Sequence, residues 1–341
     1  MSLETHITRS WYKKLGWTWA LAPLLLISAP VIYGKRRKFL RHPEASYQAS
    51  IPVVIVGNIT VGGTGKSPMV IALAQHIKNM GLRPGIVSRG HKREGQGVVL
   101  VTANSAAKEV GDEPLMLHRR AQCPVAVCAN RVEAVKALES SRQVDVIISD
   151  DGLQHYQMGR DVEIAMIDAK RQLGNGALLP VGPLREPSSR LASVDFCFSI
   201  GAISGANNGL GVVHEGKLEI ASLVSLNQGH TMPLDALQKD LDWLVLAGIG
   251  NPERFVSSLE ACGLARGTQT LFFPDHHEYQ LDDLPKDRKI IMTEKDAVKI
   301  EPFATSLDDW WYVTVDLELP ESFTTEFTKK IEHILSEKSY E

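Results

Sequence analysis

The sequence predicts an α/β protein: a parallel-sheet core, a second, smaller α/β domain, and an apolar N-terminal helix. Three observations predict this. Short apolar runs alternate with segments of helical periodicity, the pattern of strand–helix–strand units on a parallel sheet. One such run passes into a glycine-rich turn that ends in Gly65-Lys66-Ser67 and opens a helix. The first 41 residues also differ in charge and hydropathy from all that follow. A chain of 341 residues is long enough for two domains. Its 44% hydrophobic and 23% charged content excludes a disordered, collagenous or low-complexity chain. The expected division is 1–41 as an anchor, 42–205 as the core and 206–341 as the smaller domain. The Gly/Asn/Ser-rich stretch from Ser199 to Gly216 marks the boundary.

The net charge of −3 hides an asymmetry. Residues 1–41 hold eight Lys/Arg and one Glu, or +7, so the remainder carries −10. An acidic body argues against general nucleic-acid binding. A basic head points to a membrane surface. From Leu15 to Gly34 there is no charge, and a helix of that length reaches about 30 Å, the thickness of the hydrocarbon core. Trp17, Trp19 and Tyr33 stand where interfacial aromatics belong, and Lys35-Arg36-Arg37-Lys38 with Arg41 follow. The heavier basic flank is C-terminal, so a spanning segment would leave the body on the cytoplasmic side; a segment lying in the interface fits the sequence as well. A buried core helix competes with this reading; Pro23 and Pro30 weaken any straight helix. A cleaved leader does not fit, because the basic cluster follows the apolar run. The cysteines, Cys123, Cys128, Cys197 and Cys262, form no CxxC and read as buried, unpaired thiols.

Element by element, residues 51–57 read as a buried strand and Pro68 to Met80 as a helix stopped by Gly81. Ile86 to Ser88, residues 95–101 and residues 124–128 read as further strands, and Arg131 to Leu138 as a helix. Val144 to Ser149 and Val162 to Ile167 are buried strands. Residues 170–192, rich in Gly, Pro and Arg, form a long functional loop. Beyond the boundary, Leu241 to Ala247, Leu271 to Phe273 and Lys289 to Thr293 are strands, with a helix from Pro252 to Cys262.

The turn Thr60-Val61-Gly62-Gly63-Thr64-Gly65-Lys66-Ser67 lies between strand and helix, the setting a P-loop requires. Glycines let backbone N–H groups turn toward phosphate oxygens, and the helix N-terminus favours the anion. Lys66 then reaches the β- and γ-phosphates, and the Ser67 hydroxyl serves Mg²⁺. Thr60 stands where the usual pattern has its first glycine. The run Val144 to Ser149, ending in Asp150-Asp151-Gly152, has the form of a Walker B strand whose carboxylates suit Mg²⁺. Thr293-Glu294-Lys295-Asp296 has the wrong spacing to grip guanine, which favours ATP.

Several blocks together resemble one family, the tetraacyldisaccharide 4′-kinases of lipid A synthesis in Gram-negative bacteria. They are Gly57 to Pro68, Ser88-Arg89-Gly90, Gly111-Asp112-Glu113-Pro114, Asp150 to His155, Gly174-Asn175-Gly176, Leu178 to Pro187, Asp275-His276-His277 and Thr293 to Lys299. The family's own P-loop carries Thr at the position of Thr60. His91 departs from the family, which usually has Tyr there. The resemblance implies a P-loop kinase that transfers phosphate from ATP, with Mg²⁺, to the 4′-hydroxyl of a tetraacylated glucosamine disaccharide 1-phosphate. It implies a lipid-linked substrate and work at the cytoplasmic face of the inner membrane, with no obligate protein partner. It also implies a smaller domain that closes over the nucleotide.

A sugar hydroxyl needs a base for its proton. The resemblance assigns that role to Asp112, paired with His276 from the smaller domain, with His277 the alternative. Read without it, Asp112 is more readily a helix cap and His276 a solvated loop residue than a catalytic pair. Glu113 is either a metal ligand or a first-turn acid. Arg131, Arg185 and Glu186 are read as substrate or phosphate contacts, or as plain ion pairs. Gln154 and His155 follow the Walker B strand and reach either metal-bound water or the acceptor. A membrane-tethered P-loop ATPase switch is the alternative function.

Overall fold

The computed structural model describes residues 3–203, 210–234, 243–250, 252–264, 268–275, 277–304 and 309–339. The chain opens with α1 (Leu3–Trp11), a 3₁₀ turn (Trp17–Leu24) and α2 (Leu25–Arg41). Then come β1 (Val53–Gly57), α3 (Lys66–Asn79), β2 (Pro84–Ser88), β3 (Val99–Leu100), α4 (Ala107–Val110), α5 (Asp112–Ala121), β4 (Val125–Val127), α6 (Arg131–Ser141), β5 (Val146–Asp150), β6 (Val162–Asp168) and β7 (Phe196–Ile200). The remainder is β8 (Val213–Ser225), β9 (Thr231–Met232), β10 (Trp243–Ala247), α7 (Pro252–Ala261), β11 (Gln269–Phe272), β12 (Lys289–Thr293), α8 (Glu294–Ile300), β13 (Trp310–Glu318) and α9 (Glu321–Lys338).

One sheet runs through the molecule in the order β11-β10-β12-β13-β8-β7-β6-β1-β5-β2-β4-β3. From β8 to β4 the neighbours are parallel, and β11, β10, β12 and β13 are parallel among themselves. β8 joins the two halves. Its residues Val213 to Gly216 lie parallel to β7, and Lys217 to Ser225 lie antiparallel to β13. The long apolar runs β1, β2, β5 and β7 are buried along their whole length, as strands covered on both faces must be.

Several elements lay unread in the sequence, among them β8, β13 and α9. In β13, Trp310 to Val315 is aromatic and β-branched, a strand composition. In α9, Phe323, Phe327, Ile331 and Ile334 recur at helical spacing and are buried against Val54, Met69, Leu73 and Phe196 of the first half. So α9, from the stretch assigned to the smaller domain, packs on the core. Lys338 carries this further by donating to the Ala49 carbonyl at 2.7 Å.

The N-terminal segment is not one straight helix. Pro23 lies in the 3₁₀ turn, and α2 begins only at Leu25 and carries the basic cluster to Arg41. Trp17–Arg41 is long and apolar enough to cross a membrane, and only 6% of its apolar window is buried, which removes the buried-core-helix reading. It is nevertheless tied to the body. Trp11 Nε1 donates to the Pro180 carbonyl at 2.9 Å and Ser28 Oγ to the Leu179 carbonyl at 2.8 Å. The Phe39 and Tyr156 rings lie 5.2 Å apart. No disulfide joins the cysteines, and Cys123, Cys128 and Cys197 are buried.

Candidate active site

The carboxyl ends of β1, β5 and β2 lie side by side, the place where open α/β sheets bind ligands. The chain leaves β1 through the glycine turn and enters α3 at Lys66. Gly65 caps that helix at φ +86°, and a Cβ there would stand 2.2 Å from Ile200 Cδ1, so only glycine fits. Pro68 falls in the first helical turn, where its missing N–H costs nothing. Thr60 is buried and bridges Leu184, and the Val61 N–H donates to the Pro183 carbonyl at 2.9 Å. Asn58, unnoticed in the sequence, is wholly buried and donates to the Gly62 carbonyl at 3.2 Å. It also accepts from Lys66 Nζ at 3.4 Å. Gln154 braces the same turn, donating to the Asn58 carbonyl at 3.0 Å. Its partner is therefore the loop backbone.

Three carboxylates surround the lysine and serine. Lys66 Nζ is 3.7 Å from Asp151, and Ser67 Oγ donates to Glu113 Oε1 at 3.1 Å. Asp151 sits at φ +48° in the tight turn after β5. Burial raises its pKa, but Lys66 and Arg185 more than offset that and hold it below the usual range, so it is ionised. Asp150 is the reverse case. It is 4% exposed, accepts from Ser88 Oγ at 3.2 Å, and its Oδ1 has no partner. Burial first, then the charges of Glu113 and Asp151, push its carboxyl up to about 7.

An orphaned, buried carboxylate oxygen near a helix-start serine fits a divalent cation. Among the described residues no group of three His, Cys, Asp or Glu side chains makes a metal cage. Mg²⁺ suits that arrangement, since it takes one or two protein ligands and completes its shell with phosphate and water.

Asp112 and Glu113 open α5, where acidic side chains meet the positive end of the helix. Gly111 turns into that helix at φ +96°, and a Cβ on it would lie 3.2 Å from Gly90 Cα. The Ser88-Arg89-Gly90 and Gly111-Asp112-Glu113 blocks thus meet backbone to backbone. Asp112 is buried, and its Oδ1 accepts the Glu113 N–H at 3.0 Å. His276 lies outside the described residues. His277 is engaged elsewhere: its Nε2 is 3.2 Å from Asp283 Oδ2 and its ring stacks on Phe273.

Arg185 reaches Asp151 at 3.2 Å, and Arg131, buried, donates to the Asp151 carbonyl at 3.3 Å. Glu186 turns away, accepting from Tyr156 at 2.8 Å and pairing with Arg190 at 3.2 Å. His155 keeps a buried, unpartnered Nε2. Burial, with Arg131, Arg160 and Arg89 nearby, lowers its pKa to about 4. His91 is exposed. Between the glycine turn and the C-terminal half lies a cavity of about 270 Å³, lined by Gly63, Gly65, Ser67, Phe255 and Lys295 among others.

The family model for tetraacyldisaccharide-1-P 4′-kinase matches residues 17–332. The chain belongs to that family. It is an enzyme, a kinase. A tetraacyldisaccharide 4′-kinase of Aeromonas hydrophila is 42% identical over 331 residues, covering 95% of this chain and 96% of that one. One from Pseudomonas aeruginosa is 40% identical over 339 residues, covering 98% and 100%. The fold of the kinase matches the "apo" form of LpxK from Aquifex aeolicus, crystallised in complex with ATP. The TM-score is 0.78 at 24% identity, over 93% of this chain and 99% of that one.

The Thr293-Glu294-Lys295-Asp296 motif of the kinase also has a structural explanation. Thr293 caps α8, and Asp296, fully buried, accepts from the Gly248 N–H at 3.0 Å, Tyr279 OH at 2.8 Å and Thr293 Oγ1 at 2.7 Å. Asp296 is a hub of the C-terminal half, with both carboxylate oxygens engaged by protein donors.

Proposed function

We propose that this kinase transfers the γ-phosphoryl group of ATP to the 4′-hydroxyl of a tetraacylated glucosamine disaccharide 1-phosphate. One observation supports this above the others. Lys66 and Ser67 at the start of α3, Asp150 at the end of β5 with Asp151 just after it, and Glu113 at the start of α5 converge on one point. The relatives of Aeromonas hydrophila and Pseudomonas aeruginosa, both tetraacyldisaccharide 4′-kinases, supply the substrate class.

In this reading the backbone N–H groups of Gly62 to Gly65 and the Lys66 ammonium hold the β- and γ-phosphates. Ser67 and Asp150 would hold Mg²⁺, with Glu113 beside them. When bound, the ion neutralises charge on the phosphate oxygens. Asp112 takes the proton of the 4′-hydroxyl as the new O–P bond forms and the bond from Pγ to the ADP oxygen breaks. His276, adjoining Asp275, supports that base from the C-terminal half, which closes over the nucleotide and excludes water. Arg185 and Arg131 keep Asp151 ionised beside Lys66. The α2 segment lies at the cytoplasmic face of the inner membrane, where a tetraacylated acceptor resides.

The test is transfer from γ-labelled ATP to tetraacyldisaccharide 1-phosphate in detergent micelles, with and without the lipid. Label in the lipid is the expected result. Free phosphate released equally in both tubes, with no labelled lipid, would replace this reading by an ATPase switch.

A further inference from the structure

Successive residues at the start of α8 engage opposite ends of α5. Glu294 accepts from Arg120 at 2.7 Å near the end of α5. Lys295, the next residue, reaches back to the beginning of that helix. Its side chain is 16% exposed, and Nζ stands 3.8 Å from Glu113 Oε1 and 3.5 Å from Asp275 Oδ1. One ammonium thus links a carboxylate of the first half to one of the second, at the wall of the cavity that Ser67 also lines. No role described so far uses this ammonium.

We propose that Lys295 is a positioning residue for phosphoryl transfer. Its ammonium fixes Glu113, and with it the first turn of α5 that carries Asp112, against the C-terminal half of the chain. The argument rests on Asp112 being the base. Two ion pairs tie the end of α5 to the C-terminal half without touching that turn, Arg120 with Glu294 at the start of α8 and Arg119 with Glu301 just past its end, each at 2.7 Å, so joining these elements does not by itself require Lys295. Lys295 acts where a displacement of about 1 Å matters, since a shift of that size in a reacting group costs on the order of a hundredfold in rate. A lysine suits the place because a compact ammonium on a flexible stem can face two carboxylates at once.

The experiment compares steady-state kinetics of Lys295→Met, Lys295→Arg, Arg119→Met, Asp112→Asn and the Lys295→Met/Asp112→Asn double variant, with a thermal melt of each. Lys295→Met should lower kcat by roughly 10- to 100-fold, with KM for ATP and for the lipid changed less than about threefold. Lys295→Arg, which keeps the charge, should recover most of the rate. Arg119→Met, which removes an exposed tie between the same elements, should leave kcat unchanged. Because Lys295 acts through Asp112, its removal should cost little more once Asp112→Asn is present. A normal kcat for Lys295→Met beside an inactive Asp112→Asn overturns the inference alone. So does a loss in proportion to a lowered melting temperature, or a full multiplicative loss in the double variant. An active Asp112→Asn overturns the reading of the base instead, and the Lys295 role with it.

Discussion

Replacing Asp296 by alanine tests whether the Thr293-Glu294-Lys295-Asp296 motif is structural or reads a ligand. The carboxylate is fully buried and satisfies the Gly248 N–H, the Tyr279 hydroxyl and the Thr293 hydroxyl, and it faces Lys299 Nζ at 3.2 Å. Removing it leaves three donors and an ammonium without their acceptor. An unsatisfied buried donor costs about 1–3 kcal/mol, and a buried ion pair broken on one side costs about 3–5 kcal/mol. The two hydroxyls can rotate toward other acceptors, so a loss of about 4 kcal/mol is expected rather than the full sum. For a chain of 341 residues that is a fall in melting temperature of roughly 5–6 °C. Asp296→Asn keeps the volume and one acceptor oxygen, and should lose about half as much. The assay is thermal unfolding followed by far-UV circular dichroism in detergent micelles, beside competition of ATP and GTP for turnover. A melt within about 2 °C of wild type, with a changed preference between the two nucleotides, would refute the argument and make Asp296 a base-reading residue.

Asp112→Ala should lower turnover by about 10²–10⁴-fold, the range of a lost general base, while ATP binding stays largely intact; near-normal turnover removes Asp112 as the base. His155 is held neutral in the fold, with a pKa of about 4 against an ordinary 6.5. Its contribution to stability is therefore complete above pH 6.5 and is lost as pH falls from there through 4. His155→Gln cannot take up that proton, so its melting temperature should fall less than that of wild type between pH 7 and 4; parallel curves would contradict the assignment. Deleting residues 1–34 should lower recovery in the membrane fraction. Because Trp11 and Ser28 hold the carbonyls of Pro180 and Leu179, it should also slow turnover on micellar substrate. Unchanged recovery would speak against the anchor, and unchanged turnover against the coupling to the loop.

The parts of the fold that are local in sequence were legible in it. A strand, a glycine turn and a helix lie within residues 53–79 and show the cradle directly, as does the apolar run that ends in Asp150 and Asp151. The strand β13 and the helix α9 carried signals of composition and spacing that went unread. Pro23 and Pro30 gave warning that residues 15–34 would not form a single straight helix, but not where α2 would begin. The contacts that assemble the site were beyond reach for a different reason. Glu113 meets Lys295, and Glu186 turns to Tyr156 and Arg190, through packing of elements far apart in the chain. No periodicity encodes which side chains such packing brings face to face. Glu186 and Gln154 show the effect: both stood in blocks that pointed to ligand contact, and both bond to the protein itself.

The strand β8 has a mechanical consequence. The chain leaves the first half along β8 and comes back along β13, antiparallel to it, before laying α9 onto the first half. Two adjacent strands therefore form a strap between the halves. A two-stranded ribbon twists easily but resists stretching and shearing, because sliding would break its whole ladder of hydrogen bonds at once. Leu218 and Ile220 of β8 and Val313 and Val315 of β13 also line the cavity between the glycine turn and Lys295, so the strap is a wall of that space. A cut in the far half would not release it either, since both of its ends remain stitched to the sheet.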